Sequence, residues 1–329
     1  MTTLRSLRTP LDASLERSLD ALLRRAGHGW IAGDDAPTAV AGAARGRRAL
    51  QNAEHGYAVV DGPDVLATGR VGPAEWDSAH FALPIARMDD LLIDRQVALA
   101  RRRAAAEHLV DTLTAASASA SITFARVALD DDLLIRALED VGFRLFDAQT
   151  TWAGAAPTDS PRVDPRVTIR EARRTDADGL AELCASSMAL VPSHLHADPA
   201  LAPDKVRSLY AEWARNSVLA GLADHVVVAE VAGALAGFTS AKLLDASLPA
   251  PARVGVLPLV AVAAEHRGMG VASAVVVAAL RWLGAQGVAR CTVGTQVNNI
   301  PAARLYASLG LRPAQTVANL HRTRAERAT

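Results

Sequence analysis

The feature that most restricts how this chain can fold is a proline-rich stretch near its middle. Residues 153–166 read AGAAPTDSPRVDPR, with prolines at positions 157, 161 and 165. Each proline removes a backbone donor and interrupts a regular helix or strand. The stretch divides 329 residues almost in half, and each half has the size at which one hydrophobic core forms. We therefore predict two domains, residues 1–155 and 166–329, joined by a linker at residues 156–165.

Charge and composition exclude several classes of partner. Lys plus Arg and Asp plus Glu both number 35, so no global basic field exists to gather nucleic acid or an anionic membrane. No uninterrupted apolar run approaches the roughly 20 residues that span a bilayer, and the first residues lack an apolar signal block. Cys184 and Cys291 are the only cysteines, too few for a disulfide framework or a cysteine-rich metal site. We expect a soluble, cytoplasmic protein without nucleic-acid or membrane partners.

The second half alternates strand-like and helix-like segments. VTIREA reads as a strand, and the segments at 173–190 and 203–221 repeat apolar residues at helical spacing. Two strands meet at Gly233 as in an antiparallel hairpin, and RVGVLPLVAVAA supplies a further, mostly buried strand. A helix closing at Gly287, a strand, a helix with Pro301 in its first turn and a last strand complete the order βααβββαβαβ.

A glycine-containing turn lies between the buried strand and the helix that follows it. The sequence EHRGMGVA, residues 265–272, leaves a strand, passes through Gly268 and Gly270 and enters a helix. A helix N-terminus has unpaired N–H groups and a partial positive charge, and glycine lets a phosphate approach the backbone closely. The stretch lacks the lysine of a Walker loop and the third glycine of a dinucleotide fingerprint. It indicates an anion-binding cradle; the alternative is that its glycines only permit a tight turn.

Two motifs in the second half carry a resemblance to a known family. The first is an acyl-CoA signature, and the second follows the next strand and ends in SLGL, with Leu311 in the usual aromatic place. The matching residues are Arg267, Gly270 and Ala272 in the first motif and Asn299, Ala302 and Tyr306 in the second. In these motifs, their order and their separation, residues 166–323 resemble the GCN5-related N-acetyltransferase (GNAT) superfamily.

The resemblance implies an α/β (α+β) fold in which a mixed, mostly antiparallel central sheet is flanked by helices. It implies acetyl-CoA as co-substrate and no metal. Backbone amides of the cradle would hold the pyrophosphate, and the pantetheine arm would pair like an extra strand with residues 259–263. The implied cofactor-binding residues are Leu259, Val260, Ala261, Val262, Arg267, Gly268, Met269, Gly270, Val271, Ala272, Asn299, Ala302 and Tyr306.

The chemistry of acyl transfer assigns a role to Tyr306. Attack of a neutral amine on a thioester builds negative charge on the carbonyl oxygen and then expels a thiolate. A phenol with a pKa near 10 stays protonated at neutral pH and can donate to that thiolate, so we predict Tyr306 as the general acid. The resemblance implies that a backbone N–H near Val262 serves the oxyanion. The alternative is that Tyr306 only packs against Ala302 on one helical face.

Several residues could take the proton that the attacking amine loses. Glu230 and His196 are the predicted catalytic residues, and His194, Asp198 and Asp245 are alternatives, acting directly or through water. Each residue type is also common at ordinary surface positions. His194 and His196 could form a metal pair, but no carboxylate or cysteine stands at ligand spacing, so no metal is expected.

Finer features indicate the acceptor. Residues 196–217, together with TQVNN at 295–299, resemble the bacterial dTDP-fucosamine acetyltransferases, which acetylate the 4-amine of a sugar nucleotide. The implied substrate-binding residues are His194, His196, Asp198, Tyr210, Trp213 and Gln296. The predicted function is acetylation of a primary amine of a small molecule, foremost a nucleotide-linked amino sugar. Another small-amine acyltransferase, of the thiol-biosynthesis or antibiotic-modifying type, and a non-catalytic acyl-CoA sensor are the alternatives.

The first half resembles a decayed copy of the second. Its WDSAHFALPIARMDDLL is similar to a stretch near the start of the same acetyltransferases. Aligning the ends of the two last helices places Leu138 where Tyr306 stands and Asp131 where Asn299 stands, and residues 88–110 contain no glycine. We therefore predict a non-catalytic GNAT-like domain over residues 1–155, in a protein that is a monomer or a homodimer.

Overall fold

The structure, a computed structural model, describes residues 2–27, 36–157, 161–188, 191–244 and 253–324. The chain forms two compact units. The first unit contains Met1–Ala148 and Thr316–Thr329, and the second contains Gln149–Gln315. This division differs from the boundary expected at residues 156–165, because each unit takes a segment from the other half of the chain. Asp245, one of the alternative bases, lies outside the described residues.

The first unit is built on a mostly antiparallel sheet. Its strands are β1 (Thr3–Ser6), β2 (His55–Asp61), β3 (Asp64–Pro73), β4 (Ile85–Ile93), β5 (Ile122–Ala128) and the part of β13 (Arg312–Thr323) that begins at residue 316. They lie side by side in that order. β4 and β5 run parallel, and the other neighbours run antiparallel.

Helices cover this sheet with their apolar faces. They are α1 (Ala13–Leu22), α2 (Ala36–Asn52), α3 (Glu75–Phe81), α4 (Leu99–Ala116) and α5 (Asp132–Asp140). Asp12 caps α1, since its Oδ1 accepts the N–H groups of Ser14 and Leu15 at 2.9 and 3.0 Å. Leu113 of α4 and Leu138 of α5 are completely buried in one core with residues of β4 and β5.

The second unit has a similar layout. Its strands are residues 149–154 of β6 (Arg144–Gly154), β7 (Val167–Glu171), β8 (His225–Val231), β9 (Ala234–Leu244), β10 (Val254–Leu257), β11 (Val260–Val262) and β12 (Arg290–Gln296). The spatial order is β6, β12, β10, β9, β8 and β7, with β11 also paired to β9. The helices are α6 (Ala177–Met188), α7 (His194–Ala197), α8 (Pro203–Leu219), α9 (Val271–Ala285) and α10 (Ile300–Ser308).

This architecture confirms the predicted mixed α/β class with mostly antiparallel sheets. Two differences concern the second unit: α7 is an additional short helix, and the strand predicted over RVGVLPLVAVAA is broken into β10 and β11. Ala232 and Gly233 both have positive φ, 51° and 81°, which suits the tight turn of the β8–β9 hairpin. Within the described residues, no helix combines the length and the apolar character needed to cross a membrane.

Each unit is completed by a strand from the other half of the chain. Residues 149–154 pair antiparallel with β12, from Gly154 opposite Cys291 to Gln149 opposite Gln296. Residues 317–323 pair antiparallel with β5 along its whole length. We call this arrangement the strand exchange. Neither half of the sequence is therefore a self-contained domain.

Candidate active site

The sheet of the second unit opens where β10 ends. β10 and β12 pair from Val254 opposite Arg290 to Leu257 opposite Val293. Pro258 follows, and a proline has no N–H to donate to a ladder. Beyond it, β11 pairs with β9 alone among the described strands. β11 and β12 therefore diverge, and we call the gap between them the wedge.

Alternation along β11 determines which backbone groups face the wedge. Ala263 N–H donates to Ala236 O of β9 at 2.9 Å, and Leu259 O accepts a bond from β9 at 3.0 Å. Every second residue of an antiparallel strand bonds to the same neighbour, so Val260 and Val262 direct their N–H and C=O groups the other way. The wedge is thus lined by strand donors and acceptors of the kind that an extended ligand pairs with.

The turn after β11 contains the glycines of the predicted cradle, and its binding of an anion stays a prediction. Gly268 and Gly270 both have φ +79°, a conformation that glycine enters at no steric cost. Gly270 is the N-cap of α9, and the N–H groups of residues 268–273 donate to no described residue. The side chain of Arg267 is exposed and has no partner among the described residues. The start of α9 therefore offers free donors beside a cation, which is the chemistry of an anion site.

The close neighbour of Gly270 is the linker. A Cβ placed on Gly270 would lie 2.5 Å from Arg162 O and 3.0 Å from Val163 Cα. Asp164 N–H donates to Met269 O at 3.0 Å. A side chain at position 270 would thus collide with the linker backbone. Glycine is needed there for this reason, whether or not a phosphate also approaches.

Gly270→Ala is expected to destabilise the protein more than Gly268→Ala does. Both glycines have φ +79°, where an added Cβ costs about 1–2 kcal/mol. At Gly270 the new atom also meets the backbone of Arg162, whereas nothing lies within 4 Å of the Cβ position at Gly268. Urea unfolding of the two variants measures the difference. Equal losses of stability would show that the linker does not pack on Gly270.

Tyr306 lies in α10 at the edge of a largely apolar cluster. The residue is 3% exposed, and its ring centre lies 6.3 Å from that of Trp152 on β6. Burial raises the pKa of this phenol well above its usual value, because the charged form loses its solvation. The hydroxyl bonds to no described residue, yet it is not sealed from solvent. It is therefore a protonated donor without a protein partner.

Asn299 stabilises the turn that begins the Tyr306 helix. Its Oδ1 accepts the Ala302 N–H at 3.3 Å, and its Nδ2 donates to Thr295 Oγ1 at 2.9 Å. Gln296 ends β12 opposite Gln149 of β6. The cap joins α10 to the end of β12, so the structure gives Asn299 a positioning role. Direct contacts of Asn299, Ala302 and Gln296 with ligands stay predictions.

Glu230 is held by an arginine. Arg170 Nε and Nη2 contact Glu230 Oε1 at 3.0 and 2.5 Å, and the same guanidinium binds Asp176 at 2.7 and 3.0 Å. β9 lies between β8, which carries Glu230, and β11 at the wedge. Glu230 therefore forms an ion pair that joins β7 to β8. Its role as a base stays a prediction.

His196, Tyr210 and Trp213 form one aromatic stack. The ring centres of His196 and Tyr210 are 5.4 Å apart, and those of Tyr210 and Trp213 are 6.4 Å apart. Ser193 Oγ accepts from the Tyr210 hydroxyl at 2.8 Å and contacts His196 Nδ1 at 3.1 Å. Burial lowers the pKa of His196, which favours the neutral imidazole at pH 7. Three of the predicted substrate residues are thus brought together, with Ser193 joining them.

The roles of the remaining predicted titratable groups stay predictions. Asp198 is buried, and its Oδ1 accepts Ala200 N–H at 2.8 Å; His194 begins α7. Within the described ranges, no group of three or more His, Cys, Asp and Glu is arranged to hold a metal ion. Cys184 and Cys291 are free and buried, and burial raises the pKa of both thiols to about 12. Neither is a thiolate at neutral pH.

Sequence reasoning missed Ser187, which contacts the edge of the wedge. Its Oγ donates to Val262 O at 3.0 Å, so it occupies one of the acceptors on β11. It also lines a cleft of about 500 Å³ between α6 and residues 263–265, with Glu182 and Glu265 on the same walls. The helical spacing of α6 predicts which face is buried but not the strand that the face meets, so no motif indicates this contact.

Comparison with known families addresses the same part of the chain. Residues 190–311 match the model described as "Acetyltransferase (GNAT) family". The match lies in the second unit and makes residues 190–311 similar to this family. The matched residues include the wedge, the cradle and Tyr306. GNAT acetyltransferases use acetyl-CoA, so the match supports an acyl-CoA-dependent acetyltransferase. No curated protein matches the sequence.

Solved structures with GNAT domains resemble the whole chain. A GCN5-related N-acetyltransferase from Sphaerobacter thermophilus has a TM-score of 0.61 at 14% identity, over 98% of this chain and 95% of that one. A tandem GNAT protein from the clavulanic acid biosynthesis pathway has a TM-score of 0.53 at 17% identity, over 100% and 99%. A Kribbella flavida GNAT protein has a TM-score of 0.53 at 15% identity, over 87% and 95%. These identities show the fold alone, and they confirm the predicted tandem GNAT fold.

Proposed function

We propose that this protein is an acetyl-CoA-dependent N-acetyltransferase that acts on a primary amine of a small molecule. The observation that carries the proposal is the wedge between β11 and β12. It offers strand N–H groups at Val260 and Val262. The free donors at the start of α9 follow β11 in the chain, and Tyr306, whose hydroxyl bonds to no described residue, shares an apolar cluster with these two valines. Together these groups supply the contacts that an extended thioester with a diphosphate requires.

In the proposed reaction, β11 stabilises the developing oxyanion and Tyr306 protonates the leaving group. When the amine attacks the carbonyl carbon, negative charge develops on the thioester oxygen. The Val260 or Val262 N–H stabilises this charge by donating a hydrogen bond to the oxygen. The carbon–sulfur bond then breaks, and Tyr306 Oη–H donates its proton to the leaving thiolate. Its raised pKa keeps Tyr306 protonated far above neutral pH. The transient phenolate recovers a proton from the nitrogen that has become an amide, through water.

Water takes the role of the base in this proposal. Glu230 is engaged by Arg170, and His196 Nδ1 is engaged by Ser193. Glu230 Oε1 and His196 Nδ1 therefore already have hydrogen-bond partners. A proton relay through solvent in an open site needs no dedicated side chain.

The acceptor we propose to test first is a nucleotide-linked amino sugar. Its support is the similarity of residues 196–217 and 295–299 to sugar-nucleotide acetyltransferases, in which Tyr210 and Trp213 are matching positions. His196 and Trp213, the half-buried outer members of the stack, are rings of the kind that pack on sugars, and the buried Tyr210 lies between them.

We further propose that the first unit does not bind acyl-CoA. It keeps a parallel strand pair, Ile85–Met88 beside Ile122–Ala125, like that of β10 and β12. Leu138, however, is completely buried where the second unit has Tyr306. The segment between β4 and α4 also lacks glycine. Side chains there would keep a phosphate from approaching the backbone closely.

The full chain is expected to bind one acetyl-CoA per protomer in a calorimetric titration and to release CoA only when an amine is added. A dTDP-linked amino sugar should be acetylated faster than the free amino sugar, because the nucleotide contributes binding energy to the transition state. No binding of acetyl-CoA would overturn the function. CoA release without an acceptor would indicate a different reaction, and a preference for the free sugar, an amino acid or a peptide amine would overturn the acceptor alone.

A further inference from the structure

The described residues of the linker contact α9 of the second unit. Arg281 of α9 donates from Nε to Pro157 O at 3.3 Å, near the C-terminal end of the helix. Arg162 O approaches Gly270, and Asp164 N–H bonds to Met269 O, at the N-terminal end. The described parts of the linker therefore contact both ends of α9, and its last residues lie beside the cradle.

The linker contacts the cradle without filling it. The bond between them runs from Asp164 N–H to a carbonyl, Met269 O. The N–H groups of residues 268–273 donate to none of the described linker residues. The linker thus supports the turn from the side of Gly270 and leaves the anion-binding donors of α9 available.

Arg162 of the linker and Arg166, which directly follows the linker, differ in whether a carboxylate already pairs with them. Arg166 donates from Nε and Nη2 to the Asp164 carboxylate at 3.0 and 2.9 Å. The guanidinium lowers the pKa of Asp164 to about 2. Arg162 is exposed, and within the described part of the chain it has no hydrogen bond or ion pair. Arg162 is therefore the linker cation that remains available to a ligand.

The position of Arg162 places its charge within reach of the cradle. Its carbonyl oxygen lies 2.5 Å from the Cβ position of Gly270, the N-cap of α9. The free N–H groups occupy the turn and the first coil of that helix, and one helical turn is about 5.4 Å long. An arginine side chain spans such a distance, and its guanidinium binds phosphate oxygens in pairs.

We propose that Arg162 is a phosphate-binding residue of the acyl-CoA site, so that the linker forms part of the cofactor-binding surface. This proposal rests on the proposed function, since it assigns a second cation, besides Arg267, to the nucleotide end of the same ligand. The ligand class is a 3′-phospho-ADP carrier, with the diphosphate or the 3′-phosphate as the bound group.

Calorimetric binding to the full chain tests this role without an acceptor. Arg162→Gln is expected to weaken acetyl-CoA binding about 10- to 100-fold, the loss of a charge-assisted hydrogen bond, with unchanged affinity for acetyl-pantetheine. Arg162→Lys should restore part of the affinity, because it keeps the charge without the paired geometry. Arg166→Gln is the matched control: it removes a linker arginine that is already paired, and it should change the affinity less than threefold.

Dephospho-CoA identifies the phosphate that is bound. If Arg162→Gln weakens acetyl-CoA and dephospho-CoA equally, the diphosphate is the bound group; if it weakens acetyl-CoA alone, the 3′-phosphate is. Equal affinities of wild type and Arg162→Gln for acetyl-CoA would overturn the proposal while leaving the function intact. An equal loss with acetyl-pantetheine would also overturn it, since that ligand lacks the phosphates. A wild-type chain that binds no acetyl-CoA would instead overturn the proposed function.

Discussion

Tyr306→Phe is expected to lower kcat by roughly 10²–10⁴-fold, the usual contribution of general acid catalysis. The affinity for acetyl-CoA should change little, because the Tyr306 hydroxyl makes no bond to a described residue and the ring that fills the apolar cluster is kept. Burial raises the pKa of Tyr306, so the group keeps its proton as the pH rises. We therefore expect wild-type kcat to show no fall from Tyr306 ionisation below about pH 10. Steady-state kinetics with saturating acceptor measures both effects.

The leaving group provides the sharpest control for this role. An acetyl thioester of a more acidic thiol needs less protonation as it leaves, so the defect of Tyr306→Phe should shrink with such a donor. Tyr57→Phe in the first unit is the matched variant, since its hydroxyl has a single long contact of 3.4 Å to His55 Nδ1, and it should leave kcat unchanged. A Tyr306→Phe defect that is the same for acidic and ordinary thiol leaving groups would remove the acid role.

Leu320→Ala and Leu311→Ala should each cost about 2–5 kcal/mol, the usual loss for a buried leucine, but in different units. Leu320 is 0% exposed in the core of the first unit, and Leu311 is 2% exposed in the core of the second. The two positions are only nine residues apart in the sequence. Hydrogen exchange of the intact chain separates the effects, because each variant should speed exchange mainly in the strands around its own site.

The pair of leucines tests the strand exchange directly. Leu320→Ala should raise exchange in β5, its partner strand, and Leu311→Ala should raise it in α10 and β12. If both variants affect only the second unit, the C-terminal strand does not complete the first unit. Val297→Ala is a suitable control, because Val297 is 49% exposed and its truncation should leave both patterns unchanged.

Local structure was largely predictable from the sequence. Helical spacing and end signals predicted α9. Gly287, two residues beyond its last residue, has φ +78°, as expected just after a helix end. The β8–β9 hairpin was predicted from Gly233, since a tight turn needs a residue that accepts positive φ. The two GNAT motifs identified the cradle and Tyr306. These features depend on neighbours within a few positions, which is the range that a sequence pattern encodes.

Partners distant in sequence were not predictable. No sequence pattern indicates that residues 149–154 form a strand that pairs with β12, more than a hundred positions away. The same limit applies to Glu230, whose ion-pair partner Arg170 lies 60 positions earlier. It also applies to Gly270, where the motif suggested room for phosphate and the structure adds the backbone of Arg162. In each case the local sequence predicts the structure around a residue, whereas tertiary packing determines which distant residue it contacts.

The strand exchange has a consequence for the order in which the chain can fold as it leaves the ribosome. Translation delivers β5 early, yet its partner is the C-terminal strand, and 193 positions separate the bonded pair Arg126 and Asn319. Until residues 317–323 have been synthesised, β5 presents an open edge to other chains, a known route to misassembly. The first unit can therefore close only after every strand of the second unit has been made.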